Sequence, residues 1–361
     1  MNTLSNSNQP TIGFYIHHHG SGHLMRAVTI ALALKGFPIC FLGSNLKPYH
    51  HLIPSEIECI HLPADLPNEN ETSVPGKPLT FLHYAPIGIS GIRERNFLIT
   101  ETFKNSYPML LVADVSVEVT MLARLCSVPA IVIRQHGNRT DLPHLLAYES
   151  AELIIAPFSE SMAPADQDWI IKKTFYAGGF SKYTGISNQQ PEKPGHIAII
   201  LGQGGSSIDV KFVNWLADCC KNHTFHVIGQ LKDSDPNSNE NGLTNIHWHS
   251  HLDEPAAVLS YCTVVIGNAG HNTVMEMADL NKRFICIPEN RPFEEQQQKA
   301  DFLSVNHHAR VVQPADLRKL DWSAELTMAA QKLPYWLGVI NKNATENIAA
   351  VIKDNLVRLF K

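Results

Sequence analysis

Residue types that can bind a phosphate and a diol meet in the run Gly267-Asn268-Ala269-Gly270-His271-Asn272-Thr273-Val274-Met275-Glu276. The preceding Thr263-Val264-Val265-Ile266 is β-branched and uncharged, the profile of a buried strand. From Thr273 to about Leu280 the sequence is helix-compatible. A strand that breaks on glycines into a helix start points several backbone N–H groups at one spot. The helix dipole adds partial positive charge there, which suits a phosphate. Glu276, three residues past Thr273, lies one turn inside the helix. Its carboxylate can accept hydrogen bonds from two vicinal hydroxyls, as on a ribose. Taken alone, the same residues also describe an ordinary strand-to-helix turn with a solvated acid.

A second set of reactive residue types lies nearer the start. Thr11 to Ile16 reads as a strand, His17-His18-His19-Gly20-Ser21-Gly22-His23 as its turn, and Leu24 to Leu34 as an amphipathic helix. Strand, glycine turn and helix open a Rossmann-like half. Adjacent histidines in a turn point different ways, which argues against a shared metal ion. His23 is either a functional imidazole or a simple helix cap. Asp114 ends the strand Met109 to Ala113, where open α/β sheets put their chemistry, and could equally cap the helix that follows. An Asp behind a His fixes its tautomer and stabilises the cation that forms on proton transfer. After the strand Pro129 to Ile133 comes a polar loop, Arg134 to Asp141, containing His136 and Asn138.

Downstream, Phe284 to Pro288 reads as a strand, Glu289 to Phe293 as a polar loop and Glu294 to Leu303 as a further run. Together these stretches resemble the donor site of GT-B glycosyltransferases of the family 28 type. That group includes the N-acetylglucosaminyltransferase of peptidoglycan precursor synthesis. The pattern is G-x-x-T-x-x-E, a strand ending in Pro, an acid or Gln beside Gln, and a helix with Ala. Gly270, Thr273, Glu276, Pro288, Glu295, Gln296 and Ala300 fill those places in order, while Lys299 stands where Asn is usual. Gly204-Gly205-Ser206 matches a second family glycine loop, and Gly22-His23 with Arg26 resembles the first, G-x-G-H.

The resemblance implies donor contacts at Gly22, Gly204, Gly205, Ser206, Leu252, Gly270, His271, Asn272, Thr273, Glu276, Glu295 and Gln296. Leu252 would read the nucleotide base through its backbone. Glu276 would hold the ribose, and Glu295 and Gln296 the sugar. Arg26, His136 and Asn138 would face the acceptor. His23 would be the catalytic base with Asp114 behind it; Glu118 and His136 are rival bases. No metal and no cofactor are implied, because the nucleotide-sugar is a co-substrate. The implied activity is inverting transfer from a nucleotide-sugar, UDP-linked, to a glycan, lipid-linked or small-molecule acceptor. Two alternatives stay open. One is a nucleotide-sugar hydrolase of the pseudaminic-acid type, whose Gly-x-Gly-His-x-Met-Arg opening Met25-Arg26 also fits. The other is a non-catalytic nucleotide-sugar-binding protein.

These residues need a scaffold of two α/β domains. The chain has 361 residues, more than one core comfortably serves. Between Ser181 and Gly195 the sequence turns to Ser, Asn, Gln, Pro and Gly, and strand–loop–helix alternation then restarts at His196. The expected fold is α/β, a GT-B pair of Rossmann-like domains facing a cleft. Residues 1–182 with a returning helix in 340–361 form one, and 194–335 the other. The run Leu231 to Gly242 reads as a turn-rich insertion, and Ile246 to His251 alternates histidines at strand spacing, which could put three imidazoles on one face. A net charge of −5 argues against binding nucleic acid through a broad basic field. Seven cysteines without a CxxC point to buried thiols in a reducing compartment. The first ten residues lack a signal peptide's pattern, and no apolar run is long enough to span a bilayer, so a cytoplasmic place is expected. Peripheral contact with the inner face of a membrane stays open.

Overall fold

The computed structural model describes residues 9–17, 22–71, 79–186, 190–202, 205–229, 243–249, 252 and 254–361. Gly204, the insertion at 231–242 and the histidines at 18, 19 and 251 lie outside the described residues.

The first half alternates β1 (Thr11–Tyr15), α1 (Gly22–Ala33), β2 (Ile39–Gly43), β3 (Glu58–His61), α2 (Ser90–Asn105), β4 (Met109–Asp114) and α3 (Val117–Leu125). It continues with β5 (Ala130–Ile133), α4 (Leu142–Ser150), β6 (Leu153–Ala156), α5 (Asp168–Lys173) and β7 (Thr174–Tyr176). The second half holds β8 (Lys193–Ile200), α6 (Val210–Cys219), β9 (Thr224–Ile228), β10 (Ile246–His249), α7 (Ala256–Tyr261), β11 (Cys262–Asn268) and α8 (His271–Asp279). It ends with β12 (Arg283–Ile287), α9 (Glu295–Val305), β13 (Arg310–Val311), α10 (Trp322–Gln331) and α11 (Ala344–Phe360).

Two sheets result, of order β3-β2-β1-β4-β5-β6-β7 and β10-β9-β8-β11-β12-β13, with parallel pairing throughout. Parallel strands covered on both faces must be apolar. Met109 to Ala113 are each at most 1% exposed, and Val264, Val265 and Ile266 are fully buried. In each sheet the strand order reverses once, between β1 and β4 and between β8 and β11. At such a point the flanking loops leave in opposite directions and open a crevice beyond the strands' carboxyl ends. The start of α1, after the turn that follows β1, carries His23, and the end of β4 carries Asp114. The loops after β8 and β11 carry Gly205 and Gly270.

Some boundaries move. The Ser116 side chain accepts from Val119 N–H at 3.3 Å and caps α3, so Asp114 is not the cap. Helix α8 begins at His271, two residues before Thr273. Helices α4, α5, α7 and α10 have no counterpart in the sequence reading. Among the described residues no helix is long and apolar enough to cross a membrane.

The chain crosses between the halves twice, and the crossings lie side by side. Gly179 N–H donates to Val339 O at 2.9 Å, and Asn341 N–H to Gly179 O at 2.8 Å. Helix α11 then packs on α1 in the first half: Ile348, Ala349, Ile352 and Leu356 share a core with Leu24, Val28 and Ala31. Ile352 is fully buried there. Ile352→Ala removes packed methyl groups where α1 cannot collapse freely, so it should cost about 2–5 kcal/mol in urea unfolding. A loss below the error of the fit would mean that α11 is not docked on α1.

Candidate active site

The two crevices face each other and form one cavity of about 1310 Å³, lined from both halves. Tyr15, His17, His23, Arg26, Glu118, His83 and Arg139 line it from the first half, and Asn268, Gly270, His271, Thr273, Glu276 and Glu295 from the second.

On the first-half side, His23 Nδ1 lies 3.0 Å from Asp114 Oδ2. Arg26, one turn along α1, donates from Nη2 to both Asp114 oxygens at 2.9 Å. Its Nε adds a longer bond of 3.2 Å to Oδ2. Both Arg26 and Asp114 are buried. Burial alone would raise the Asp114 carboxyl, but Arg26 and His23 outweigh it and hold it down to about 2. Asp114 is therefore a permanent anion and can only accept. His23 Nδ1 donates to it, which leaves the Nε2 lone pair as the ring's acceptor. Arg26 Nη2 is also 3.1 Å from His23 Nδ1, but its protons are engaged by the carboxylate. His17 packs against the ring, centroids 5.5 Å apart. Arg26, expected to face the acceptor, thus spends its charge on Asp114.

On the second-half side, no side chain caps α8, whose first turn opens toward the cavity. Asn268 Oδ1 shapes the turn by accepting from Gly270 N–H at 2.9 Å. A Cβ on Gly270 would meet that oxygen at 2.8 Å, and one on Gly202 would meet Asn268 Nδ2 at 2.4 Å, so either would displace the Asn268 amide that shapes the turn. Asn272 Nδ2 reaches across the cleft to Gly22 O at 3.3 Å, joining the two glycine turns. Thr273 Oγ1 lies 3.4 Å from Asn268 Oδ1. His271 is buried at the helix start, and burial pushes its imidazole well below its ordinary value, with Lys299 and Arg26 adding to the effect. Glu276 is partly buried in the wall, and burial raises its carboxyl to about 7 against the opposing charge of Lys182.

The loop 289–296 forms the floor. Glu289 Oε1 accepts from Ser207 N–H at 2.6 Å and from the Ser206 hydroxyl at 3.1 Å. Gly205 takes a backbone φ of +90° and its carbonyl accepts from Arg291 Nη2 at 2.6 Å. Gln296 is buried with Oε1 accepting from Glu289 N–H at 2.9 Å, so its carbonyl is committed to the loop. Lys299 is fully buried: Nζ donates to Ala269 O at 3.1 Å and pairs with Glu295 Oε1 at 3.5 Å. The lysine at the usual Asn position thus ties the phosphate-type turn to Glu295. Sequence reading passed over this link, although Glu295 and Lys299 stand at helical i, i+4 spacing.

Asp114, Gly205 and Ser206 stand behind the cavity wall, and His136, Asn138 and Leu252 do not line the cavity either. His136 is buried against Phe158, centroids 3.9 Å apart, and neither ring nitrogen has a hydrogen-bond partner. Asn138 contacts the second half through its main chain, donating to Phe293 O at 2.7 Å. Leu252 is partly buried against the core beneath β8 and β11.

Among the described residues one group converges as metal ligands do: His83, Asp141 and His144, with ligand atoms within 4.8 Å of one another. Its protonation fits hydrogen bonding better. Arg139 Nη1 lies 3.0 Å from His144 Nε2, and a guanidinium can only donate. His144 therefore carries its proton on Nδ1 and gives it to Asp141. A metal on Nδ1 would force an N–H against Arg139. Burial and Arg139 hold the His144 imidazole down at about 4, which keeps it neutral. His249 and His226 also bond each other rather than a common centre: His226 Nδ1 is 3.2 Å from His249 Nε2, and its Nε2 is 2.9 Å from His196 Nδ1.

Two facing Rossmann-like halves, with an uncapped helix start on one side and a His–Asp pair on the other, define the GT-B class of fold. Residues 204–353 match the glycosyltransferase family 28 C-terminal domain. MurG of Acinetobacter baumannii is 16% identical, with 96% of this chain and 99% of that chain covered and a TM-score of 0.63. The glycotransferase of kitacinnamycin is 13% identical, with 97% and 100% covered and a TM-score of 0.68. A UDP-glucosyltransferase from Polygonum tinctorium capable of glucosylating indoxyl is 11% identical, with 98% and 100% covered and a TM-score of 0.62. No curated protein sequence matches the chain. The chain has the GT-B fold, and its second half carries a match to the glycosyltransferase family 28 C-terminal domain.

The state of Glu276 has a thermodynamic consequence. Its folded value of about 7 stands above the ordinary 4.5. Across that window the native state holds a proton that the unfolded chain has released, so its contribution to stability falls as pH rises and is lost above pH 7. Glu276→Gln should therefore be more stable than wild type by about 1–3 kcal/mol at pH 8 and show no gain at pH 4. Equal differences at both pH values by urea unfolding would mean that the carboxyl titrates normally.

Proposed function

We propose that the protein is an inverting glycosyltransferase that takes a sugar from a UDP-sugar, with His23 as the base. The observation that carries this reading is the His23 imidazole, fixed by Asp114, in the same cavity as the uncapped start of α8. In the reaction His23 Nε2 accepts the proton of an acceptor hydroxyl. The oxygen forms its bond to the anomeric carbon from the face opposite the nucleotide. The bond from that carbon to the diphosphate oxygen breaks, and the electron pair leaves with UDP. One displacement inverts the centre. The imidazolium formed is stabilised by Asp114, and the departing diphosphate by the N–H groups and dipole of α8.

The rival bases are placed less well. Glu118 Oε1 accepts from His83 N–H at 2.8 Å and Tyr84 N–H at 3.1 Å, holding a loop. His136 is sealed from the cavity. Glu276 stands one turn inside α8, the place for a carboxylate that grips a ribose diol. The first-half end of the cavity is lined by Phe81, Ile92, Met121 and Leu122, which suits an acceptor with an apolar body carrying a hydroxyl.

Titration of the protein with UDP and with a panel of UDP-sugars by calorimetry tests the donor. Wild type should bind UDP, and Glu276→Ala should weaken that binding by about 1.5–3 kcal/mol, the range for hydrogen bonds to a charged group. Equal UDP affinity in both would remove Glu276 from the site. Rapid release of free sugar without any acceptor would replace transfer by hydrolysis, and binding without turnover across an acceptor panel would leave a binding protein.

A further inference from the structure

The acceptor end of the cavity is completed by a residue of the opposite half. Phe293 sits on the loop before α9 in the second half, yet its ring packs among first-half side chains. Its centroid is 5.2 Å from that of His83 and 4.8 Å from that of His144, and the Arg139 guanidinium lies over it at 5.1 Å. The main chain follows. Phe293 O accepts from Asn138 N–H at 2.7 Å, and a Cβ on Gly137 would meet that oxygen at 2.6 Å. Phe293 and Glu294 both adopt left-handed backbone, φ 61° and 56°, which side-chain-bearing residues avoid. Strain of this kind persists only where surrounding contacts over-determine it. Those contacts are the ones with Gly137, Asn138 and Arg139.

What Phe293 holds is a second His–Asp pair in the cavity. His83 Nε2 bonds Asp141 Oδ2. Asp141 also takes the proton of His144, whose other nitrogen faces Arg139. With Nε2–H given to Asp141, Nδ1 is the acceptor atom of His83, and the residue lines the cavity beside Glu118 and Phe81. The Glu118 carboxylate grips the backbone of His83 and Tyr84, so the loop is anchored, and the imidazole packs against the rings of His144, centroids 4.6 Å apart, and Phe293, which itself packs on His144.

We propose that Phe293 is a positioning residue for the acceptor, and that its ring locks His83 on Asp141 so that His83 Nδ1 receives a hydroxyl of the acceptor. Resting on the transferase reading above, this makes the acceptor a molecule with at least two hydroxyls. One gives its proton to His23, and the other is held by His83. The acceptor end is then assembled only when the second half is seated on the first, because Phe293 belongs to the half that binds the donor.

Imidazole NMR of histidine-labelled protein, paired with UDP calorimetry, tests the proposal on wild type, Phe293→Ala, Phe293→Tyr and Gly137→Ala. In wild type the His83 signals should report a fixed Nε2–H tautomer. Phe293→Ala should abolish that signature, and Phe293→Tyr should restore it. Gly137→Ala, which pushes on Phe293 from the other half, should act in the same direction as Phe293→Ala. UDP affinity should be as in wild type in all three variants. A fixed His83 tautomer that survives Phe293→Ala would overturn the proposal. So would a fall in UDP affinity in Phe293→Ala, since Phe293 would then belong to the donor site. Failure of wild type to bind UDP would instead remove the donor reading, whatever His83 does.

Discussion

The buried contact between Arg26 and Asp114 constrains everything else in the cleft. A carboxylate taken out of water is costly unless an opposite charge and hydrogen bonds replace the solvent. Arg26 supplies both, bridging the two oxygens of Asp114 from one turn along α1. The pair fixes the end of β4 to the start of α1. His23, on the same helix, then has only one way to satisfy Nδ1. Removing the charge of Arg26 would leave Asp114 as an uncompensated buried anion and free the imidazole to turn. The geometry of the proposed base is therefore a consequence of charge compensation inside one half.

The second half supplies the complementary field. Its uncapped helix start presents positive potential, and the buried Lys299 beneath the turn adds a full charge that Glu295 partly offsets. Such a helix start favours an anion on this side, and the imidazole of His23 faces it from the other. The contact of Asn272 with Gly22 and the insertion of Phe293 beside His83 set the distance between the two. Chemistry across such a cleft depends on seating the halves, which explains why the loop 289–296 carries so many bonds to both.

Much of this was legible in the sequence, and the reason is local. Strand, glycine break and helix start lie within a dozen residues, so each half announces its crevice. The adjacency of His23 and Asp114 follows because a Rossmann-like sheet places the first and fourth strands side by side. What sequence could not show is which half a loop residue faces. Phe293 follows a second-half strand but packs among first-half side chains, and nothing in its neighbours encodes that. His136 lies in the loop after β5 as expected, yet Phe158 covers its ring, a contact between distant segments. Lys299 looked like a departure from a pattern until its burial under Ala269 gave it a partner.

The most direct measurement is steady-state turnover of His23→Ala at saturating UDP-sugar and acceptor, beside Asp114→Asn and the double variant. If His23 is the base, its loss should lower kcat by about 10²–10⁴ while UDP affinity stays as in wild type. Asp114→Asn should cost less, and the double variant should be little worse than His23→Ala, because Asp114 acts through His23. A His23→Ala enzyme that keeps its kcat, or that loses UDP binding in place of turnover, would contradict the account.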